Sequence, residues 1–412
     1  MKELLVVLAI FHLTQLEAQD TTKVLFIGNS FTSQNNLPEL FRQLSIGAGE
    51  LVEVAAHMPG GISVGDTAQG ALAHMNNPVV YDLIRSDDWD FLILQDNQGR
   101  FCLGYGQFPA SSLVLEGHLM IRDSLAFHQP CASMVWFAGF GPKDGYPPYG
   151  NSGVALIDSI YQNYLFLNDT AEEVIAPIGP AFKRIISGYP SFNLWGADAI
   201  HPSLLGSYLT ACVIFSTIYR SSPIRSSYNP GISVSADSIL KITGYQATLD
   251  SLPFTGLLSI TPEIIQSGNT LSINNSQQCA WYLNNSPIIA TGCSVQIDES
   301  GVYFALATDL SGCEYRSWEI TTSVVGVPES LNIDQRFDLA PNPANRYSNI
   351  TFHIPIEKAA TVELYDANGM LIRSWQADSP EFTMHLEGLA MGVYVVSMKS
   401  MNEVARRLLV IQ

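Results

Sequence analysis

Between about residues 20 and 251, short unbroken apolar runs alternate with longer stretches whose apolar positions recur every three or four residues. Val24–Ile27, Leu51–Ala55, Asp90–Leu94, Ser133–Phe137 and Glu173–Ala176 are the short runs, and consecutive apolar side chains without alternation predict strands buried on both faces. Leu37–Ile46, Ala110–Phe127, Leu156–Asn163, Pro180–Ile186 and Leu204–Tyr219 carry the helical period, and Ser235–Leu252 reads as a closing helix. Strands alternating with helices predict a mainly parallel sheet of five strands covered on both faces, a three-layer α/β/α domain over 19–252. After Leu252 the period changes to two. Thr270–Ile273, Cys279–Leu283, Ser294–Ile297 and Val302–Thr308 alternate between Gly, Asn and Ser breaks, which predicts a small antiparallel β-sandwich over 258–325. A Val-Gly-Val-Pro-Glu-Ser linker at 325–330 precedes a third, again β-rich, block over 333–412.

The apolar run from Leu4 to about Leu13, after Lys2 and before Leu16-Glu17-Ala18-Gln19, has the form of a secretory signal cleaved near Ala18, so 1–18 are expected to be removed. It is too short to span a bilayer, and no later stretch predicts a transmembrane helix. With 20 Lys and Arg against 38 Asp and Glu, the formal charge of −18 argues against nucleic acid, whose phosphates need clustered cations. Six cysteines suit an exported chain that pairs some of them, in a connectivity that spacing does not determine. No Cys-x-x-Cys occurs, and Cys212, inside an apolar helical run, reads as a buried small hydrophobe.

Chemistry concentrates at the first strand. Lys23-Val24-Leu25-Phe26-Ile27-Gly28-Asn29-Ser30-Phe31-Thr32 ends its apolar run at a glycine, which gives room for a sharp turn, and sets Ser30 at the carboxyl end of a strand, where open α/β sheets place ligands. A serine nucleophile needs a base, and the base needs an orienting group. Of eight histidines, His201 stands three residues after an acid in Asp198-Ala199-Ile200-His201-Pro202, and Pro202 delays the next helix until about Leu204. One loop then holds an acid facing one imidazole nitrogen while the other nitrogen is left for Ser30. An isolated Asp-x-x-His also reads as a surface turn with a capping Asp, so it is the combination with Ser30 that carries weight.

Gly28-Asn29-Ser30-Phe31 near the start and Asp198-x-x-His201 before the last large helix resemble the SGNH (GDSL-like) hydrolases, with Asn29 where the family has Asp. The likeness covers about 20–225 and also takes in Trp89-Asp90-Phe91-Leu92-Ile93-Leu94-Gln95, Ala176-Pro177-Ile178-Gly179 and Gly206-Ser207-Tyr208-Leu209. It implies a flavodoxin-like α/β/α fold and a serine esterase with Ser30 as nucleophile, His201 as base and Asp198 as its orienter, working without metal or organic cofactor. The family's oxyanion hole combines the nucleophile's own backbone N–H, a glycine after the second strand and an asparagine after the third. Here these fall on Ser30, on Gly61 with Gly65 as competitor, and on Asn97 with Gln95, which replaces the family's glycine, as the other donor.

The middle block, with Cys279-Ala280-Trp281-Tyr282 and Ser300-Gly301-Val302-Tyr303, resembles the Ig-like modules of bacterial surface proteins. Leu339-Ala340-Pro341-Asn342-Pro343, Val362-Glu363-Leu364-Tyr365-Asp366-Ala367-Asn368-Gly369, Gly392-Val393-Tyr394 and the basic-apolar ending Arg406-Arg407-Leu408-Leu409 resemble the C-terminal sorting domain of type IX secretion cargo. That likeness implies type IX machinery as partner and a secreted or surface-attached protein. An acylated small molecule or polysaccharide is the expected substrate, with carbohydrate O-deacetylation first. A lipase or thioesterase of the same mechanism and a non-catalytic adhesin are the alternatives.

Overall fold

A computed structural model describes residues 21–64, 73–101, 111–146, 152–286, 288–322, 337–352, 360–366, 370–379, 381–400 and 403–411. The chain divides into two compact units, Met1–Val324 and Val325–Gln412. The proposed signal segment at 1–18 lies outside the described residues, as do Gly65, Cys102 and the Asn368-Gly369 pair. No helix among the described residues is long and apolar enough to cross a membrane.

The first unit is built on five parallel strands, β1 (Thr22–Ile27), β2 (Val52–His57), β3 (Phe91–Leu94), β4 (Ser133–Phe137) and β5 (Val174–Ala176), in the order β2-β1-β3-β4-β5. Helices lie on both faces: α1 (Ser30–Ser33), α2 (Leu37–Gly47), α3 (Pro78–Arg85), α4 (Gln98–Phe101), α5 (Ser111–His128), α6 (Gly153–Ala171), α7 (Ile178–Gly188), α8 (Leu204–Tyr219) and α9 (Val234–Ser251). This is the three-layer α/β architecture expected from the alternating pattern. Alternate residues of one strand serve opposite layers: Val24 and Phe26 join the core that includes α2, α7 and α8, and Leu25 and Ile27 the core under α3, α5 and α6. That double burial is why β1 reads as an unbroken apolar run.

Strand order reverses direction between β1 and β3, and the crevice at such a switch point is where doubly wound sheets bind ligands. The register makes it a shared rim, since Ile27 pairs with both His57 of β2 and Leu94 of β3. The residues following these three therefore emerge at one level. The ladder continues one step further, with Gly28 N–H donating to His57 O at 3.0 Å and Gln95 N–H to Ile27 O at 2.8 Å.

Two antiparallel sheets complete the first unit. One contains β6 (Ile264–Ser267), β7 (Thr270–Ile273) and β10 (Ser294–Gln296). The other contains β8 (Gln278–Leu283), β9 (Ala290–Thr291), β11 (Gly301–Thr308), β12 (Glu314–Arg316) and β13 (Ile320–Thr322). Trp281, Tyr303 and the Cys279–Cys293 disulfide fill the space between them. They are fastened to the amino-terminal edge of the parallel sheet, the edge away from Ser30. A second disulfide joins Cys131, just before β4, to Cys313, just before β12. Glu50, just before β2 and 3% exposed at its side chain, accepts from Arg225 Nη2 and, at 3.0 Å, from Arg316 Nη1. Arg316 also donates to Glu319 at 3.2 Å and lies 3.7 Å above the Phe304 ring, and Asn285 Nδ2 donates to Ala48 O at 3.1 Å. Cys212 is free and buried.

The second unit holds two further antiparallel sheets. One is β14 (Phe337–Ala340), β15 (Tyr347–Phe352) and β18 (Glu381–His385); the other is β16 (Ala360–Tyr365), β17 (Leu371–Ala377), β19 (Gly392–Ser400) and β20 (Glu403–Ile411). Val362, Leu364, Val396, Met398 and Leu409 are among the side chains that make its core.

Candidate active site

Ser30 is the first residue of the four-residue helix α1, and Asn29 is its N-cap, with Asn29 Oδ1 accepting from Phe31 N–H at 3.0 Å. Asn29 does more than cap. Its Nδ2 donates to Ile62 O at 3.0 Å, and its own N–H donates to Gln95 Oε1 at 2.8 Å. One residue, through its side chain and its backbone N–H, therefore ties the segment after β1 to those after β2 and β3. Gly28 turns out to matter for close approach rather than for a turn of unusual dihedral: a Cβ there would lie 2.4 Å from Thr32 Oγ1 and 2.8 Å from Gln95 Oε1. Behind it His74 Nε2–H donates to Gly28 O at 2.9 Å, and burial pushes this imidazole down to about 4, which keeps it neutral.

The acid-base pair sits on a loop closed by its own backbone. Gly196 N–H donates to His201 O at 2.7 Å and Ser203 N–H to Leu194 O at 2.8 Å, and Ser203 then caps α8. Within the loop Asp198 Oδ1 accepts from Ile200 N–H and His201 N–H, both at 3.0 Å, and Oδ2 faces His201 Nδ1 at 2.6 Å. Ala199 between them has φ +58°, a left-handed conformation that costs an L-residue with a Cβ about 1–2 kcal/mol, and its carbonyl accepts from Lys143 N–H at 2.8 Å. The loop is braced from beneath by Trp195, whose Nε1 donates to Gly141 O at 3.0 Å. It is clipped to the nucleophile segment by Asn35, whose Nδ2 donates to Pro202 O at 3.0 Å and Ser207 Oγ at 2.9 Å.

His201 Nε2 lies 2.8 Å from Ser30 Oγ. Because the carboxylate can only accept, Nδ1 carries the proton and Nε2 presents its lone pair to the serine hydroxyl. Phe31 packs against the imidazole, ring centroids 5.4 Å apart, and against Phe140 at the same separation. Ser30 and the Asp198–His201 pair, with Ser30 and His201 171 positions apart in the sequence, thus form one hydrogen-bonded line. Asp198 is held down to about 2, first by the bond from His201 and then by the two backbone N–H groups. The sign follows: a carboxyl depressed in the folded state adds stability above its ordinary value of 3.8, and that stability is lost as pH falls through about 2. Asp198→Asn is accordingly expected to flatten this part of an acid-unfolding curve relative to the wild-type chain; superimposable curves in this range contradict the assignment.

Gly61, in the turn after β2, has φ +73°, and no atom approaches within 4 Å of where its Cβ would stand. Asn97 Oδ1 accepts from Gly99 N–H at 3.1 Å. Among the described residues, Ser30 N–H, Gly61 N–H and the Asn97 Nδ2 donate to no protein acceptor. Gln95 is different. It is 1% exposed, its Oε1 takes Asn29 N–H and Thr32 Oγ1–H, and one hydrogen of its Nε2 goes to Asp96 O. The bracing roles of Asn29 and Asn35 were not evident in the sequence; each is a small amide next to a tight turn, a setting in which Asn commonly bonds to neighbouring backbone.

Residues 338–412 match the family model of the secretion system C-terminal sorting domain. No curated protein matches the chain. Among solved structures, a DUF4886 family protein from Bacteroides uniformis is similar with 18% identity and a TM-score of 0.49, over 58% of this chain and 99% of that one. A member of the lipolytic protein G-D-S-L family from Veillonella parvula shows 14% identity and a TM-score of 0.34, over 47% of this chain and 97% of that one. A carbohydrate esterase family 3 protein from Talaromyces cellulolyticus shows 15% identity and a TM-score of 0.34, over 47% and 94% respectively.

Proposed function

We propose that the chain is an exported serine esterase, of SGNH type, that hydrolyses carboxylic esters, with O-acetyl groups on carbohydrate as its first substrate class. The observation that carries this reading is the Asp198–His201–Ser30 line, with separations of 2.6 and 2.8 Å. Its chemistry follows from the donors and acceptors. His201 Nε2 takes the hydroxyl proton as Ser30 Oγ attacks the ester carbonyl. The tetrahedral oxyanion is met by the free donors of Ser30, Gly61 and Asn97, each typically worth about 10²–10³ in rate. Nε2–H then protonates the departing alcohol, and water attacks the acyl-enzyme with the same base, releasing the acid and restoring Ser30. Asp198 stays anionic throughout and stabilises the imidazolium.

Export through the type IX route rests on the sorting domain at 338–412 and on the signal-like start of the chain. A lipase or thioesterase would use the same line of residues, and a non-catalytic adhesin would have no use for it. Three measurements decide. The purified chain is expected to hydrolyse p-nitrophenyl acetate, to be labelled at Ser30 by a fluorophosphonate, and to release acetate from acetylated glycans faster than it cleaves long-chain acyl esters. Preference for long acyl chains moves the assignment to a lipase, and absence of both labelling and hydrolysis favours the adhesin.

A further inference from the structure

The segment after β3 contains a carboxylate for which the triad has no use. Asp96 is fully buried, and its Oδ1 accepts two backbone N–H groups from different loops: Val64 at 2.8 Å and Asn97 at 2.6 Å. Val64 lies three residues beyond Gly61, and the residue between Gly61 and Ser63, Ile62, is held from the other side by Asn29 Nδ2 at 3.0 Å. The Gly61 turn is thus gripped at Ile62 by the nucleophile loop and at Val64 by Asp96. The backbone of Asn97 is pinned by the same oxygen. Gln98 Nε2 donates to Asp96 O at 3.0 Å, and Gln98 Oε1 accepts from Gly139 N–H at 3.2 Å, which extends the brace to the end of β4. Two titratable rings face it: Tyr164, and His118, whose Nδ1 lies 3.9 Å from Asp96 Oδ2. The imidazole spends its Nδ1–H on Val114 O at 2.8 Å, and burial pushes its titration down.

We infer that Asp96 is a positioning residue for the oxyanion hole: its buried carboxylate fixes the Gly61 turn and Asn97 relative to one another, so that both donors face the carbonyl held over Ser30. A charged acceptor suits this task, because a bond from N–H to an ionised oxygen is roughly twice as strong as one between neutral groups. It also keeps the donors in place before substrate arrives, which is what makes such a hole effective. The inference rests on the esterase reading for its consequence in rate, and on the geometry alone for its consequence in loop rigidity.

The test uses the full chain with Asp96→Ala and Asp96→Asn, in the wild-type and Asn97→Ala backgrounds. Asp96→Ala is expected to lower kcat for p-nitrophenyl acetate about 10²-fold with KM within about threefold, as loss of one donor does. Asp96→Asn keeps an acceptor oxygen without the charge and is expected to lose about tenfold. In the Asn97→Ala background the Asp96→Asn loss should shrink below about tenfold, to the part carried by the Gly61 turn, since the Asn97 donor is already gone. Independently of activity, amide exchange should quicken in the peptides covering 61–64 and 95–98, and not in the strands. A folded Asp96→Ala or Asp96→Asn chain with wild-type kcat, losses that multiply in the double variant, or unchanged exchange in both peptides overturns the inference. If the wild-type chain cleaves no ester, the esterase reading fails and the exchange data still decide whether Asp96 pins the two loops.

Discussion

Ser30→Ala and His201→Ala are each expected to lower ester hydrolysis by about 10⁴–10⁶-fold, and combining them to lose nothing more. The expectation follows from the 2.8 Å bond between Oγ and Nε2: nucleophile and base act as one unit, so removing either abolishes the same step. On the proposed reading the residual rate comes from the donors of Ser30, Gly61 and Asn97 acting on bound ester, and for that reason it is expected to stay above the rate in water. Steady-state kinetics on p-nitrophenyl acetate, with active-site titration to exclude wild-type contamination, measure it. Losses that multiply in the double variant, or activity that survives both single changes, contradict a shared proton path.

The second large effect is on stability. Glu50→Gln is expected to destabilise the first unit by about 3 kcal/mol, because breaking a buried ion pair on one side leaves charge without compensation. Glu50 is 3% exposed and answers two guanidinium groups, of Arg225 at 24% and Arg316 at 10% exposure. Glu319, at 3.2 Å from Arg316, remains as a partial substitute and keeps the loss at the lower end of the usual range. Urea unfolding measures it, with kcat at 25 °C as the control, since the seam lies at the other edge of the sheet from Ser30. A shift below about 1 kcal/mol shows that the seam is held by its disulfide and apolar contacts instead. The Cys131–Cys313 bridge closes a span of 182 residues, for which chain entropy alone gives about 5 kcal/mol.

How much of this could be read from the chain depends on whether the signal is local. The strands of the parallel sheet are double-sided and therefore unbroken in hydrophobicity; β4 falls at Ser133–Phe137 and α8 at Leu204–Tyr219, where the apolar patterns place them. α3 was not legible, since Val79-Val80-Tyr81 carries β-branched and aromatic residues that favour strands, and only the Asn77 cap with Pro78 at the first position marks a helix start. α6 continues eight residues past the expected Asn163, because Tyr164, Leu167 and Ala171 keep one face buried. At the site, the residues that stand at chain punctuation, Ser30, Asp198 and His201, could be singled out. Asp96 could not, and neither could the bond that Gln95 makes to Asn29, because the partners lie 32 and 66 positions away and sequence spacing carries no trace of such bonds. The Cys131–Cys313 pairing is opaque for the same reason, and so is the reason for Gly28, which is a neighbour's oxygen rather than its own dihedral.

The antiparallel layers close one edge of the parallel sheet, and the chain leaves them after Thr322. Any load applied through the polypeptide downstream enters the molecule at its floor and is borne by a covalent rivet and a charged clasp. Within the first unit, then, the anchoring of the antiparallel layers and the Ser30 line occupy opposite ends of the same five strands.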